Sequence, residues 1–405
     1  MLIYADNNAT TAIAPEAVEA MRPFLADCYF NPSSMYDPAA AAARCLAGFR
    51  ADVARFLNAA EPSEVLFTSC ATESNNTALF GAAAANPARR HIVTTAVEHP
   101  AILEPCRELE RRGYAVTYVP VKPTGELDRA AFVHALRPGE TLLVSVMHAN
   151  NETGVVFPVA DLARIAKATD PSILFHTDAT QSAGKLPLDL RGELAHVDLL
   201  SFSGHKMHAP KGVGALYIRK GTPLRPFLLG GHQESGRRAG TENLPYAAAL
   251  AAACGLATKH LADMPRVAAL RDDLQRRLLA AIPYLEVNGA TQPRTPNTLS
   301  LACHFIEGES ILYELNARGI CASTGSACSS GSLEPSHVLR AMDIPFTAMH
   351  GSLRLSFSAY TTAAEIDALA EAIPEVVTSL RRLSPYWNAT TGTPRSLPTP
   401  PPSAR

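Results

Sequence analysis

Short β-branched runs that alternate with helical patterns predict an α/β fold. The expected architecture is a mainly parallel sheet covered by helices on both faces, followed by a smaller α+β domain. Two observations carry this expectation. The strand-length runs carry apolar residues at consecutive positions rather than alternating ones, as strands buried on both faces do. Polar residues collect just past the ends of those runs. The first strand is expected at residues 65–68, followed by the turn Ser69-Cys70-Ala71-Thr72-Glu73 and an Ala-rich helix to about residue 85. Further strands are expected at 92–95, 116–119, 142–147, 173–176 and 197–202. Residues 158–168 place Leu162, Ile165 and Ala166 on one helical face. In such sheets ligands bind beyond the C-terminal strand ends. Those ends carry Thr68-Ser69, Glu98-His99, Asn150-Asn151-Glu152, the 178–181 segment and the 201–206 segment.

From residue 246 the pattern changes. An Ala-rich helix at 246–262 and an amphipathic helix at 266–281 lead into strand candidates at 297–301 and 353–357, and a helix at 363–380 closes the domain. After Trp387 there are five prolines in the last eighteen residues and no acids, so residues 388–405 are expected to form a disordered Pro-rich tail.

The chain has 405 residues, 47% of them hydrophobic, enough for a large core without staples. Lys plus Arg is 36 and Asp plus Glu is 38, a net charge of −2. That balance shows no nucleic-acid footprint and no attraction to anionic lipid. No signal peptide is read at the N-terminus, and the longest uncharged run is too short to span a bilayer, so a cytoplasmic protein is expected. None of the eight cysteines forms a C-x-x-C pair, which removes the usual zinc-ribbon and thioredoxin spacings.

Four places could carry chemistry. Lys206, in Ser203-Gly204-His205-Lys206 just past a strand, is either a surface lysine or a desolvated one able to form a Schiff base. Asp178 could cap the next helix, or could pair with a cationic ring nitrogen. Lysine and aspartate on neighbouring strand ends are the two groups pyridoxal phosphate requires. The Ser69 to Glu73 turn is an ordinary helix start or a phosphate site. Residues 322–332 contain nothing larger than Thr, so Cys328 at their centre is poorly explained as packing. Cys28, Cys45, Cys106, Cys254 and Cys303 read as packing residues, while Cys70 and Cys321 stay open.

Several segments occur together in one order: Ala5-Asp6-Asn7-Asn8-Ala9-Thr10-Thr11, Asn31-Pro32-Ser33-Ser34, Thr72-Glu73-Ser74-Asn75, Glu98-His99-Pro100 and Asn150-Asn151-Glu152-Thr153-Gly154. They continue through the 178–181 segment, Ser203-Gly204-His205-Lys206, Arg238-Ala239-Gly240-Thr241-Glu242-Asn243 and Gly325-Ser326-Ala327-Cys328. This set resembles the pyridoxal-phosphate-dependent cysteine desulfurases of the class V aminotransferase group. Met342-Asp343-Ile344-Pro345 and Ser384-Pro385-Tyr386-Trp387 are similar to the nitrogen-fixation members.

The resemblance implies a fold type I transferase. Its large cofactor domain would span 13–258, and its small domain, 1–12 plus 259–387, would carry the cysteine loop. It implies Lys206 as the covalent anchor of pyridoxal 5'-phosphate, Asp178 on the ring nitrogen, and His99 stacked on the ring as proton shuttle. Gln181 would bond the ring oxygen, with Asn151 near it and near the substrate. Ala71, Thr72, Ser203 and His205 would hold the phosphate, with Thr241 reaching in from a second subunit of a homodimer. Arg354 would bind the substrate carboxylate. The implied activity turns L-cysteine into L-alanine and a persulfide on Cys328, feeding an iron–sulfur scaffold protein, with nitrogenase maturation as the expected use. No intrinsic metal is implied, although Cys328 could transiently contact scaffold-bound iron. A selenocysteine lyase or another β-eliminating enzyme is the alternative. Two readings without this cofactor also stand at this stage, a hydrolase using Cys328 with His337 and a metal scaffold using His205 and His208.

Overall fold

A computed structural model describes residues 2–289, 293–324 and 335–395. The chain opens with a short strand, β1 (Ile3–Tyr4). It then builds β2 (Val65–Thr68), β3 (His91–Thr95), β4 (Ala115–Val119), β5 (Thr141–Ser145), β6 (Leu174–Asp178), β7 (Leu199–Ser203) and β8 (Gly214–Ile218). These seven form one sheet in the order β2-β8-β7-β6-β5-β3-β4. Every pairing from β7 through β4 is parallel, and only β8 runs antiparallel, against β2 and β7.

Alternation along each strand shows why the runs carry apolar residues at consecutive positions. Val65, Val93, Val144, Phe175, Leu200 and Tyr217 enter one core. Their neighbours Leu66, Ile92, Leu143, Leu174, Leu199 and Leu216 enter the opposite core. With a side-chain period of two, both faces must therefore be covered. On the first face lie helices Asp37–Phe56, Arg129–Ala135, Val159–Thr169 and Leu244–His260. On the second lie Ala71–Ala85 and Pro100–Arg111. The mainly parallel, helix-covered sheet expected from the sequence is thus present, and the observed strand ends fall within three residues of the expected ones.

A second core belongs to a three-stranded antiparallel sheet of β9 (Leu285–Val287), β10 (Thr298–Cys303) and, after β11 (Ile320–Cys321), β12 (Ser352–Ser356). Helices Met264–Ala281, Gly308–Ala317 and Ala363–Leu383 contribute to it. The N-terminus joins this part of the molecule, because β1 pairs in parallel with β11.

Three details differ from expectation. Within the stretch assigned to the small domain, Val338, Leu339 and Met342 pack into the large core instead. Residues 388–395 of the expected tail are ordered: β13 (Trp387–Asn388) pairs with β14 (Thr393–Pro394). Trp387 is buried between Tyr284 and Phe305, with the Arg381 guanidinium 4.7 Å from its ring centre, which anchors that hairpin. Residues 396–405 lie outside the described residues. Cys28 is exposed just beyond helix Pro23–Ala26, so packing does not account for it, and Cys45 is half-buried. Cys106, Cys254 and Cys303 are buried as expected, and desolvation pushes all three thiols up, Cys303 to about 12.

The reversed strand β8 starts where three backbones converge. A Cβ on Gly214 would stand 2.7 Å from the Phe202 carbonyl oxygen and 3.0 Å from Cys70 Cα. Both neighbours are main chain and cannot rotate away. Gly214→Ala is expected to lower stability by about 1–3 kcal/mol, read as a lower midpoint in denaturant unfolding.

Burial also sets a pH response. Desolvation lowers His91, His148, His176 and His205 to about 4. The unfolded chain binds a proton on each of them near 6.5, whereas the folded chain waits until about 4, so unfolding takes up protons across that window. Glu98, raised by burial to about 8, is protonated when folded and acts in the opposite sense, and the upward push of burial on Glu152 works in the same direction as Glu98. Four groups outweigh two. Stability is therefore expected to fall as pH falls from 6.5 to 4, measured as a falling thermal midpoint.

Candidate active site

The C-terminal ends of β6 and β7 and the start of helix Ala71–Ala85 surround a cavity of about 380 Å³. It brings together Ala71, Thr72, His99, Asn151, Asp178, Gln181, Ser203, His205, Lys206 and Arg354. Asn8, Ala9, Cys70, Asn75 and Thr180 complete much of the wall. Thr241 is not among them. It is exposed and lines a separate cavity of about 240 Å³ with Thr68, Ser69 and Arg238, on the other side of the Ser69-Cys70 turn. Cys328 lies outside the described residues.

Lys206 sits in a short 3-10 turn immediately after β7. Its Nζ donates to the carbonyls of Asn8 and Ala9, the second at 2.7 Å. Asp178 closes β6 and is buried. One of its carboxylate oxygens accepts from Asn75 Nδ2 at 2.7 Å and the other from the Thr180 backbone N–H at 2.9 Å. A carboxylate held by two donors is fixed in orientation and keeps lone pairs for a cationic partner.

His99 caps helix Pro100–Arg111, its Nδ1 accepting the Ala101 N–H at 3.1 Å. The proton of the neutral ring is therefore on Nε2. Burial lowers its pKa, Asp178 opposes that shift, and Lys206 adds to it. His205 Nδ1 lies 3.2 Å from Thr10 Oγ1, and burial together with Lys206 keeps this ring neutral too.

Where the first helix of the second face meets the cavity, Cys70 is the N-cap of the 15-residue helix Ala71–Ala85, and Ala71 and Thr72 of its first turn line the wall. Glu73 in that first turn would repel an anion. Burial pushes its carboxyl up, but the Arg238 side chain at 2.8 Å and the Ser69 N–H outweigh burial and hold it ionised and paired. Ser203 Oγ is buried on the cavity wall with no partner among the described residues, as is Thr180 Oγ1. A buried hydroxyl without a partner beside a helix N-terminus fits a phosphate oxygen. The residues present therefore suit pyridoxal phosphate: a lysine anchor, a carboxylate for the ring nitrogen, and a phosphate cradle.

Arg354, also on the cavity wall, projects from β12 and is buried. Its Nη2 meets Asp6 Oδ1 at 2.7 Å and its Nη1 meets the Asn151 carbonyl at 3.0 Å. Asp6 and Asn75 thus orient residues already singled out. Both lie within motifs legible in the sequence, yet no local pattern marks their roles, because the partner of each lies far along the chain. Among the described residues there is no cluster of three or more His, Cys, Asp or Glu able to hold a metal. His205 and His208 instead bond to Thr10 and the Ala12 carbonyl.

Comparison with known proteins agrees with this geometry. Residues 3–369 match the Aminotransferase class-V family. The chain is 53% identical over 387 residues, 96% of each chain, to "Cysteine desulfurase 2" of Trichormus variabilis. It is 49% identical, over 95% of each chain, to "Cysteine desulfurase NifS" of Azotobacter vinelandii. Among solved structures it resembles a "NIFS-LIKE PROTEIN" with a TM-score of 0.88 and 37% identity, covering 94% of this chain and all of that one. It also resembles "SspA in complex with cysteine", with a TM-score of 0.77 and 32% identity over 89% of this chain and all of that one. These likenesses do not favour the selenocysteine-lyase alternative. With near-full-length identity of about half and the same fold, the chain belongs to the class V aminotransferase family, on its pyridoxal-phosphate-dependent cysteine desulfurase branch.

Proposed function

We propose that this chain is a cysteine desulfurase that converts L-cysteine to L-alanine and supplies sulfur for iron–sulfur cluster assembly, with nitrogenase maturation as its use. The observation that carries this is the single cavity in which Lys206, Asp178 and Arg354 meet. Lys206 would anchor the cofactor, Asp178 would pair with its ring nitrogen, Gln181 would bond its ring oxygen, and Asn151 would lie near that oxygen and the substrate. His99 would cover its face. Ala71, Thr72, Ser203 and His205 would hold its phosphate. Bound there, pyridoxal phosphate supplies an electron sink for the charge left when the substrate Cα loses its proton.

The protein's own groups do the rest. Arg354, aimed by Asp6, holds the substrate carboxylate with its planar fork. His99 exchanges protons through Nε2, because Nδ1 is occupied by the Ala101 N–H. Cys328, as thiolate, attacks the substrate sulfur. The carbon–sulfur bond breaks, its electron pair stays on carbon, and that carbon takes a proton to become the methyl group of alanine. The sulfur remains as a persulfide on Cys328, from which an acceptor thiol can take it.

The acceptor we propose is an iron–sulfur scaffold protein, and the working unit a homodimer in the cytoplasm. Thr241, exposed beside the Ser69-Cys70 turn, would serve the partner subunit's phosphate site. No helix among the described residues is long and apolar enough to cross a membrane.

Cys328→Ser is expected to keep the bound-cofactor absorbance while releasing no alanine from cysteine. Undiminished alanine production by that variant would sink the assignment. Asp6→Asn removes the charge that orients Arg354, and the expected outcome is a KM for cysteine raised about tenfold with a smaller change in kcat, from initial rates across cysteine concentrations.

A further inference from the structure

One buried cation beside the cavity has no role in the chemistry above. Lys185 lies four residues after Gln181 and is 8% exposed. Its Nζ donates to Gln181 Oε1 at 3.0 Å. Gln181 Nε2 in turn donates to the Asn8 carbonyl at 3.1 Å, and that same carbonyl accepts from Lys206 Nζ. Lys185, Gln181, Asn8 and Lys206 therefore form one hydrogen-bonded chain.

A glutamine amide can be built either way round unless its neighbours decide. Here they do. The Asn8 carbonyl can only accept, so it must face the amide nitrogen, while an ammonium can only donate, so it must face the amide oxygen. Without Lys185 the oxygen end would lose its partner and the amide could turn over or swing away.

We propose that Lys185 is a positioning residue for the cofactor: by holding Gln181 Oε1, it keeps Gln181 Nε2 as the donor presented on the Lys206 side of the cavity. The proposal rests on the roles given above to Gln181 and Lys206. Packing alone would not select a lysine here, since a methionine fills similar space without a buried amine. The charged and titratable groups that act on Lys185 or feel it are Lys206, Arg354, His205 and His208. None is a carboxylate. Burial, and then repulsion from Lys206 and Arg354, lowers the amine to about 7, which fits a group retained as a hydrogen-bond donor rather than as half of an ion pair.

The test compares holoenzyme variants by cofactor retention on dilution and by the pH midpoint of the bound-cofactor absorbance. Lys185→Met is expected to retain pyridoxal phosphate about tenfold less tightly. Its absorbance midpoint is expected to move up by about one pH unit, because the Gln181 donor to the ring oxygen is weakened. Lys185→Arg should restore both. Gln181→Ala should match Lys185→Met, and the double variant should be no worse than Gln181→Ala alone. A Lys185→Met protein identical to wild type in both readouts, or additive losses in the double variant, overturns the proposal. If Lys185→Met does not fold, Lys185→Gln keeps a neutral donor and should retain near-wild-type affinity, and a loss equal to that of Gln181→Ala overturns the idea equally. Lys206→Ala separates the two levels. It should abolish covalently held cofactor, and a variant that still holds it covalently overturns the site assignment itself, whereas an unaffected Lys185→Met overturns only the positioning role.

Discussion

The site depends on how one buried asparagine is paired. Asn8 is 2% exposed, and its polar groups are engaged on all sides. Its N–H meets Ser356 Oγ at 2.9 Å, its Nδ2 meets Thr298 Oγ1 at 2.9 Å, and its Oδ1 accepts from Asn297 at 3.0 Å, all in the small sheet or beside it. The same Nδ2 reaches the Asn151 carbonyl, and its own carbonyl receives Gln181 and Lys206, all beside the large sheet. A buried amide satisfied in this way locks both sides together, because releasing either would leave unpaired polar groups away from water. The residues around Asn8 inherit that rigidity. Asp6 is aimed at Arg354, and Thr11 donates from its backbone to the His205 carbonyl.

The cavity that results is electrostatically lopsided in a way that suits anionic ligands. Among the described residues that line it, Lys206 and Arg354 stand against one carboxylate, Asp178. Asp178 is held by neutral donors, and Asp6, which pairs with Arg354, does not itself line the cavity. Parallel strand direction does much of this work, because β6 and β7 end at the same edge and deliver Asp178 and Lys206 there. The antiparallel β8 then brings Gly214 against Cys70, which seats the turn at the helix N-terminus.

Much of the molecule could be read before any coordinates. Leu66 and Phe67, or Ile92 and Val93, are apolar on consecutive positions, and only a sheet covered on both faces accommodates that. Strand β8 has no legible start in the sequence, because Lys211-Gly212-Val213-Gly214 has the composition of a turn and the strand begins at its last glycine. Val338, Leu339 and Met342 carry no local sign of which of two cores they enter. Cys28 and Cys106 look alike as letters, yet one is exposed and the other buried. The hairpin after Trp387 was hidden because polar, Pro-containing segments resemble disorder unless a distant ring cluster holds them.

By itself the sequence determined the fold class and the chemical inventory: a lysine, an aspartate and a helix start at strand ends, with motifs in the order of a known family. Those are local properties, set by periodicity and residue type within short windows. Only the tertiary structure decided which groups orient them. Asp6 meets Arg354 across 348 residues, Asn75 meets Asp178 across 103, and Asn8 gathers partners from both cores. Such pairings are set by how two packed cores come together, and no local window in the chain contains that information.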